Sequence, residues 1–206
     1  MERFPAIILA GGRATRMGGG DKPLLDLGGR PMLAHVIVRL SRQCGPLALN
    51  ANGDPARFAA FGLPVLADDL PGFPGPLAGI LAGMEWAAAV GAASVVSVAA
   101  DTPFFPADLA TRLARARTDA GPVIAATQDA SGALADHPTF GLWPVALRDP
   151  LRRFLKAGQR RLRDFAARHD AGRAVWKTAA IDPFFNINTP EDLARARAGP
   201  GERSSG

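Results

Sequence analysis

Short apolar runs, most of which break off at glycine, asparagine or aspartate, alternate with helix-patterned stretches over residues 4–127. The runs are FPAIILA (4–10), PLALNAN (46–52), LPVLADD (63–69), ASVVSVAAD (93–101) and PVIAAT (122–127). Between them, MLAHVIVRLSRQC follows Pro31, ARFAAF (56–61) is a short helical segment, and 77–90 and 106–117 have helical spacing. This order predicts parallel βαβ units. Runs that are apolar throughout predict strands covered on both faces. The fold class is therefore α/β, a three-layer Rossmann-like sandwich.

After Thr127 the rhythm changes. PTFGLW (138–143), RAVWKTAAI (173–181) and FFNIN (184–188) read as shorter strands, mixed with a basic helix over residues 144–168. The sheet is accordingly expected to be mostly parallel, with an antiparallel strand and a short mixed β region. Residues 191–198 form a last helix, capped by Thr189 with Pro190 at its first position. No repeat or linker divides residues 1–198, which read as one domain, and GPGERSSG (199–206) reads as a flexible tail.

In an open sheet of this kind, ligands bind beyond the carboxyl ends of the strands, near a switch in strand order. The polar residues stand there: the glycines after the first strand, Asn50 and Asn52 after the second, Asp68 and Asp69 after the third, Asp101 after the fourth. Independent strand ends thus converge on one polar edge.

The stretch after the first strand, LAGGRATRMGGGDKPLL (9–25), holds five glycines, two arginines and a lysine. It is not the dinucleotide fingerprint, because Gly11 and Gly12 are adjacent. Nor is it a P-loop, because Lys22 lies between Asp21 and Pro23. Backbone N–H groups exposed by glycines, framed by Arg16 and Lys22, make a cradle for an anion.

The net charge of +5 favours anionic ligands, but the arginines are spread along the chain and no nucleic-acid-binding module is recognisable. Cys44 is the only cysteine, which excludes an internal disulfide and a thiolate zinc site, and it reads as a buried, inert thiol. No segment has the length or character of a membrane span or a secretory leader, so the expectation is a cytoplasmic protein without a membrane or nucleic-acid partner.

LAGGRATRMGGGDKPLL resembles the signature loop of nucleotidyltransferases with a glycosyltransferase-A type fold. With PGPLAG (74–79), AADTPF (99–104), DHPT (136–139) and NINTPEDL (186–193) in that order, the chain resembles the molybdenum cofactor guanylyltransferase family over most of residues 4–197. The resemblance implies a single nucleotidyltransferase domain that transfers GMP from GTP to molybdopterin or Mo-molybdopterin, releasing pyrophosphate. Leu9, Ala10, Gly11 and Gly12 would offer backbone groups to guanine, and Asn50 and Asp68 would contact the nucleoside. Lys22 and Arg16 would bind the triphosphate, and Asp101 would hold Mg²⁺, whose hard-oxygen preference a carboxylate meets. Asn186 and Asn188, spaced to face one side of an extended strand, and His137 and Arg160 would serve the molybdopterin. Molybdoenzyme apoproteins or their chaperones would receive the product.

Plainer readings stand beside these. Asp101 also suits a cap before Pro103, Asn186 and Asn188 suit a turn, His137 suits a structural role, and the GQRRLR segment around Arg160 suits a solvated face. Asn52 and Asp69 read as loop formers, Trp86, Trp143 and Trp176 as packing residues, and His35 and His169 carry no chemistry. The rival functions are a molybdopterin cytidylyltransferase, a sugar-1-phosphate nucleotidyltransferase, and a non-catalytic nucleotide-binding delivery protein. Gly11 in LAGG argues against the cytidylyltransferase, whose matching segment resembles LAAG.

Overall fold

A computed structural model describes residues 3–11, 21–69, 75–117, 121–178 and 182–198. Its strands are β1 (Ala6–Leu9), β2 (Leu47–Asn50), β3 (Val65–Leu66), β4 (Ser94–Ala99), β5 (Val123–Gln128), β6 (Leu134–Pro144) and β7 (Gly172–Lys177). Its helices are α1 (Met32–Ser41), α2 (Pro76–Ala89), α3 (Leu109–Arg115), α4 (Arg148–Lys156), α5 (Leu162–Arg168) and α6 (Pro190–Ala198). ARFAAF forms a 3-10 turn within Pro55–Phe61, with Asp54 accepting from the Ala56 N–H at its start.

The strands make one seven-stranded sheet in the order β3-β2-β1-β4-β6-β5-β7. All neighbours run parallel except β6, which is antiparallel to both β4 and β5. The mostly parallel sheet with an antiparallel strand is thus the observed one. The strand order reverses at β1, and there Leu9 stands opposite both Asn50 and Ala99.

The residues of β1 alternate between two cores. Ala6 and Ile8 pack with Leu33, Val36 and Leu40 of α1 and Leu109 and Leu113 of α3. Ile7 packs on the opposite face with Leu77, Ile80 and Met84 of α2 and with Leu151, Phe154 and Phe165 of α4 and α5. Burying each isoleucine fully contributes about 2–3 kcal/mol, which explains why the run is apolar on both faces. Glycines 79 and 83 inside α2 each cost about 1 kcal/mol of helix propensity. A Cβ at Gly83 would come 2.7 Å from the Ile7 side chain, so the glycine stripe lets α2 lie close on β1.

Two expected elements differ. The segment 184–188 is not a strand, because its backbone groups bond elsewhere. Asp182 accepts from the Phe184 N–H through its carboxylate and from the Phe185 N–H through its carbonyl, and Ile187 N–H donates to the carbonyl of Asp101 at 2.9 Å. The basic helix over 144–168 is two helices. Gly158 at φ +78 ends α4 in a left-handed turn, and the chain restarts at Leu162. The expected tail lies outside the described residues.

Candidate active site

Asp101 follows the carboxyl end of β4, and a 3-10 turn begins at Lys22. Lys22 is buried at 7% exposure, an unusual position for a lysine and one that requires partners. Its Nζ donates to Asp101 Oδ2 at 2.7 Å and to Asn188 Oδ1 at 2.6 Å. An ammonium has three N–H donors, and among the described residues two of them are taken by these bonds. The lysine is held as a directed cation rather than a flexible surface charge.

Thr102 sits fully buried beside this pair. Its hydroxyl contacts Asp101 Oδ1 at 3.3 Å and makes a short bond with Asn186 Oδ1. The segment 186–188 is therefore tied to the end of β4 by Thr102, by Lys22 and by the Ile187–Asp101 backbone bond. Its far side is closed by Asp192, whose carboxylate accepts from the N–H groups of Asn188 and Thr189, while Thr189 Oγ1 accepts from Asp192 N–H. That reciprocal pair is a capping box, with Asp in the place usually held by Glu. Leu27, Met32, Ile187 and Leu193 form a small apolar cluster beneath it, joining the lysine segment to the NIN segment.

A second polar group gathers at the ends of β2 and β3. Buried Asn50 uses both amide hydrogens, donating to Leu66 O at 3.1 Å and Asp68 Oδ1 at 2.9 Å. Asn52 donates to Asp68 Oδ2 at 2.8 Å and accepts from the Asp68 N–H at 2.8 Å. Asp68 is thus fixed at both oxygens yet half-buried rather than sealed. Leu9 and Ala10 lie between the two groups. Ala10 N–H donates to Asn50 O, and Ala100 N–H donates to Leu9 O. Gly11 follows them exposed, and among the described residues nothing lies within 4 Å of where its Cβ would be.

His137 stands on β6. Its Nε2 is 2.9 Å from Thr127 Oγ1, and its ring stacks on Phe184 with centroids 4.6 Å apart, two residues before Asn186. Burial holds its pKa below the ordinary histidine value, against the pull of Asp182 and Asp136. Asp136 is paired with Arg173 at 2.8 and 3.0 Å, which depresses its carboxyl. Arg163 of α5 donates to Asp136 O at 3.2 Å, so the GQRRLR segment lies on this same side; Arg160 within it is exposed.

The fold therefore brings together Lys22, Asp101, Asn186 and Asn188 in one network and Asn50 and Asp68 in another, with Leu9 and Ala10 between. Gly12 and Arg16 lie outside the described residues. The sequence reading passed over Thr102 and treated Asn52 as a loop former. The period-2 spacing of Asn50 and Asn52 was the available sign that both could address one partner. Cys44 is buried, and burial pushes its thiol up to about 12, in keeping with an inert side chain. Trp143 is fully buried, and Trp176 nearly so, and their indole N–H groups donate to Ser97 Oγ and Asp108 Oδ1; both are packing residues.

As to metals, the site offers one carboxylate and two amide oxygens, all hard donors. Among the described residues no group of three or more His, Cys, Asp or Glu is gathered. That set fits Mg²⁺, which commonly takes one or two protein carboxylates and completes its shell from phosphates and water. No described helix is long and apolar enough to cross a membrane.

The model of the MobA-like NTP transferase domain family matches residues 6–173. A molybdenum cofactor guanylyltransferase of Rhodopseudomonas palustris is 54% identical over 195 residues, covering 93% of this chain and 91% of its own. One from Cereibacter sphaeroides is 51% identical over 196 residues, covering 95% and 96%. The solved structure of molybdopterin-guanine dinucleotide biosynthesis protein A from Archaeoglobus fulgidus is similar in fold, with a TM-score of 0.69 at 22% identity over 95% of this chain and 97% of that one. A chain with this sheet order, this strand-end network and these relatives belongs to the MobA-like NTP transferase domain family.

Proposed function

We propose that this protein transfers GMP from GTP to molybdopterin or Mo-molybdopterin, forming the guanine dinucleotide and pyrophosphate. The observation that carries the reading is the buried Lys22, aimed by Asp101 and Asn188 at the end of the strand where a triphosphate would lie. Identity above 50% to guanylyltransferases over nearly the whole chain supports it.

The attacking group is the phosphate monoester of molybdopterin, whose second pKa of about 6 leaves it largely ionised at neutral pH. No side chain has to remove a proton. The enzyme's task is to bring two anions together in line and to stabilise the charge that develops on the transferring group. Lys22 is suited to this because its ammonium is held in place by Asp101 and Asn188 before substrate arrives, with little reorganisation left to make. Arg16 would add a forked cation from the glycine loop.

Asp68 would accept from the guanine N1–H and N2–H₂ edge or from the ribose. Asn50 and Asn52 already occupy one lone pair on each of its oxygens, which fixes the carboxylate while leaving acceptor capacity. Asn50, with both amide hydrogens bonded inside the fold, would act chiefly by holding Asp68. Leu9, Ala10 and Gly12 would bring backbone groups to the base, and exposed Gly11 would leave room for a purine.

Asp101 would hold Mg²⁺ together with oxygens of the substrate, and the ion would neutralise phosphate charge when bound. Asn186 and Asn188 would position the second substrate's phosphate, with His137 and Arg160 on the flank toward the pterin. The reaction is assigned to the cytoplasm, with molybdoenzyme apoproteins or their chaperones as recipients of the product.

Titration calorimetry with GTP and then CTP, each with Mg²⁺ at fixed salt, tests the base assignment. Pyrophosphate release on adding molybdopterin tests the transfer. Preference for CTP would overturn the guanine reading, and nucleotide binding without pyrophosphate release would favour a non-catalytic delivery protein.

A further inference from the structure

Arg57 has no part in the roles above, yet it touches both halves of the site. It leaves the 3-10 turn after β2, and its terminal NH2 donates to the carbonyl of Asn52 at 2.6 Å. Its Nε is buried 3.2 Å from Asp21 Oδ2 and, among the described residues, has no well-aligned hydrogen bond. The guanidinium lies 4.9 Å from the ring centroid of Phe58, which is fully buried and cannot shift with it. Gly53 turns the chain at φ +87, and a Cβ there would come 3.1 Å from Arg57 NH1, so the turn leaves the space the guanidinium occupies.

What matters is which residues these contacts adjoin. Asp21 immediately precedes Lys22. Asn52 is the residue that holds Asp68 through two hydrogen bonds. The lysine segment and the Asn52 turn are separate stretches of chain, following β1 and β2, and Arg57 spans them with one planar, multi-donor group. A lysine would replace the planar group beside Phe58 with one small ammonium. It would lose the separate nitrogens, Nε toward Asp21 and NH2 toward Asn52, that reach the two sides.

We propose that Arg57 is a positioning residue that sets the distance between the Asp68 end and the Lys22 end of the nucleotide site. The proposal rests on the GTP reading above. A ligand that joins two subsites gains from their fixed spacing. If the spacing loosens, each subsite still takes its own fragment, and only the joined ligand loses affinity.

The test uses the whole protein with Arg57→Met, which keeps an apolar stem against Phe58, and Arg57→Lys, which keeps the charge without the fork. Affinities for GMP, pyrophosphate and GTP are measured with Mg²⁺, alongside kcat and KM. The expected result is that GMP and pyrophosphate bind as in the wild type while GTP weakens about tenfold, the scale of coupling between residues in one network. Arg57→Lys should rescue little of that loss. GTP affinity unchanged in both variants overturns the proposal, as does a parallel fall for all three ligands, which would mark Arg57 as a general strap. If Arg57→Met fails to fold, Asp21→Asn loosens the same span from its other end, and the same comparison of fragments against GTP decides. Failure of the wild type itself to bind GTP would instead overturn the guanylyltransferase reading.

Discussion

Gly79 and Asn50 are fitted to one another: a Cβ at position 79 would stand 2.1 Å from Asn50 Oδ1 and 2.8 Å from Leu9 Cδ2. Helix α2 therefore approaches the end of β2 only because residue 79 has no side chain. Gly79→Ala should drive Asn50 away from Asp68 and weaken GTP binding at least about tenfold, with the roughly 1–3 kcal/mol loss of stability usual for overpacking. Gly83→Ala meets Ile7 instead of a site residue, and should lower the melting temperature with a smaller effect on GTP affinity. Calorimetry of both variants beside their melting curves separates the two.

Lys22 makes the second prediction. If its directed ammonium stabilises charge in the transition state, Lys22→Met should lower kcat by about 10²–10³, the usual loss for one preorganised donor. Asn188→Ala removes one of the two acceptors that aim Nζ and should give a smaller loss. The part of Asn188 that acts through the ammonium should be contained in the loss for Lys22→Met, so the two losses should not add. Any further fall in the double variant measures the separate contact of Asn188 with the second substrate's phosphate, and steady-state kinetics on the four proteins divides the two.

How much of this was readable beforehand follows from the range of the interactions. The β1, β2 and β4 strands were legible because residues such as Ile7 and Ile8 are apolar for a local reason, burial on both faces. Asp101 and Lys22 were legible through the family-like motifs around them, but their contact at 2.7 Å joins residues far apart in sequence and no local pattern encodes it. The FFNIN segment misled because apolar alternation suggested a strand. Asp182, Asp192 and the carbonyl of Asp101 instead take up its N–H groups, and only the assembled fold supplies that competition. The break at Gly158 had a visible sign, a glycine between two basic helical stretches, that periodicity alone outweighed.

Gly11 tests whether the glycine loop serves the fold or the ligand. Nothing among the described residues would meet a Cβ at this exposed position. Gly11→Ala should change stability by no more than about 0.5 kcal/mol, as surface substitutions do. It should nevertheless reduce GTP affinity, since the added methyl would occupy space proposed for the base. Unchanged affinity for GTP would remove Gly11 from the nucleotide site, and a large fall in melting temperature would assign it to the fold.

The last prediction concerns acid. Burial among Thr127, Phe184 and β6 lowers the pKa of His137, so the folded protein binds its proton less readily than the unfolded chain. A base whose folded pKa is depressed withdraws stability as pH falls below its unfolded value of about 6.5, because protons then favour the unfolded state. Stability from this group is complete above that pH and declines toward the lower folded pKa. Asp136 acts in the same direction in a more acidic window: its carboxyl, lowered by Arg173, contributes stability above the ordinary aspartate value of about 3.9 and loses it as pH falls through the depressed folded value. Melting temperature should therefore drop between pH 7 and pH 5 in the wild type, while His137→Gln, which cannot take up a proton, should show a flatter profile there. Equal slopes for the two proteins would mean that His137 protonates in the fold as easily as in water, and that the stack on Phe184 does not exclude its charge.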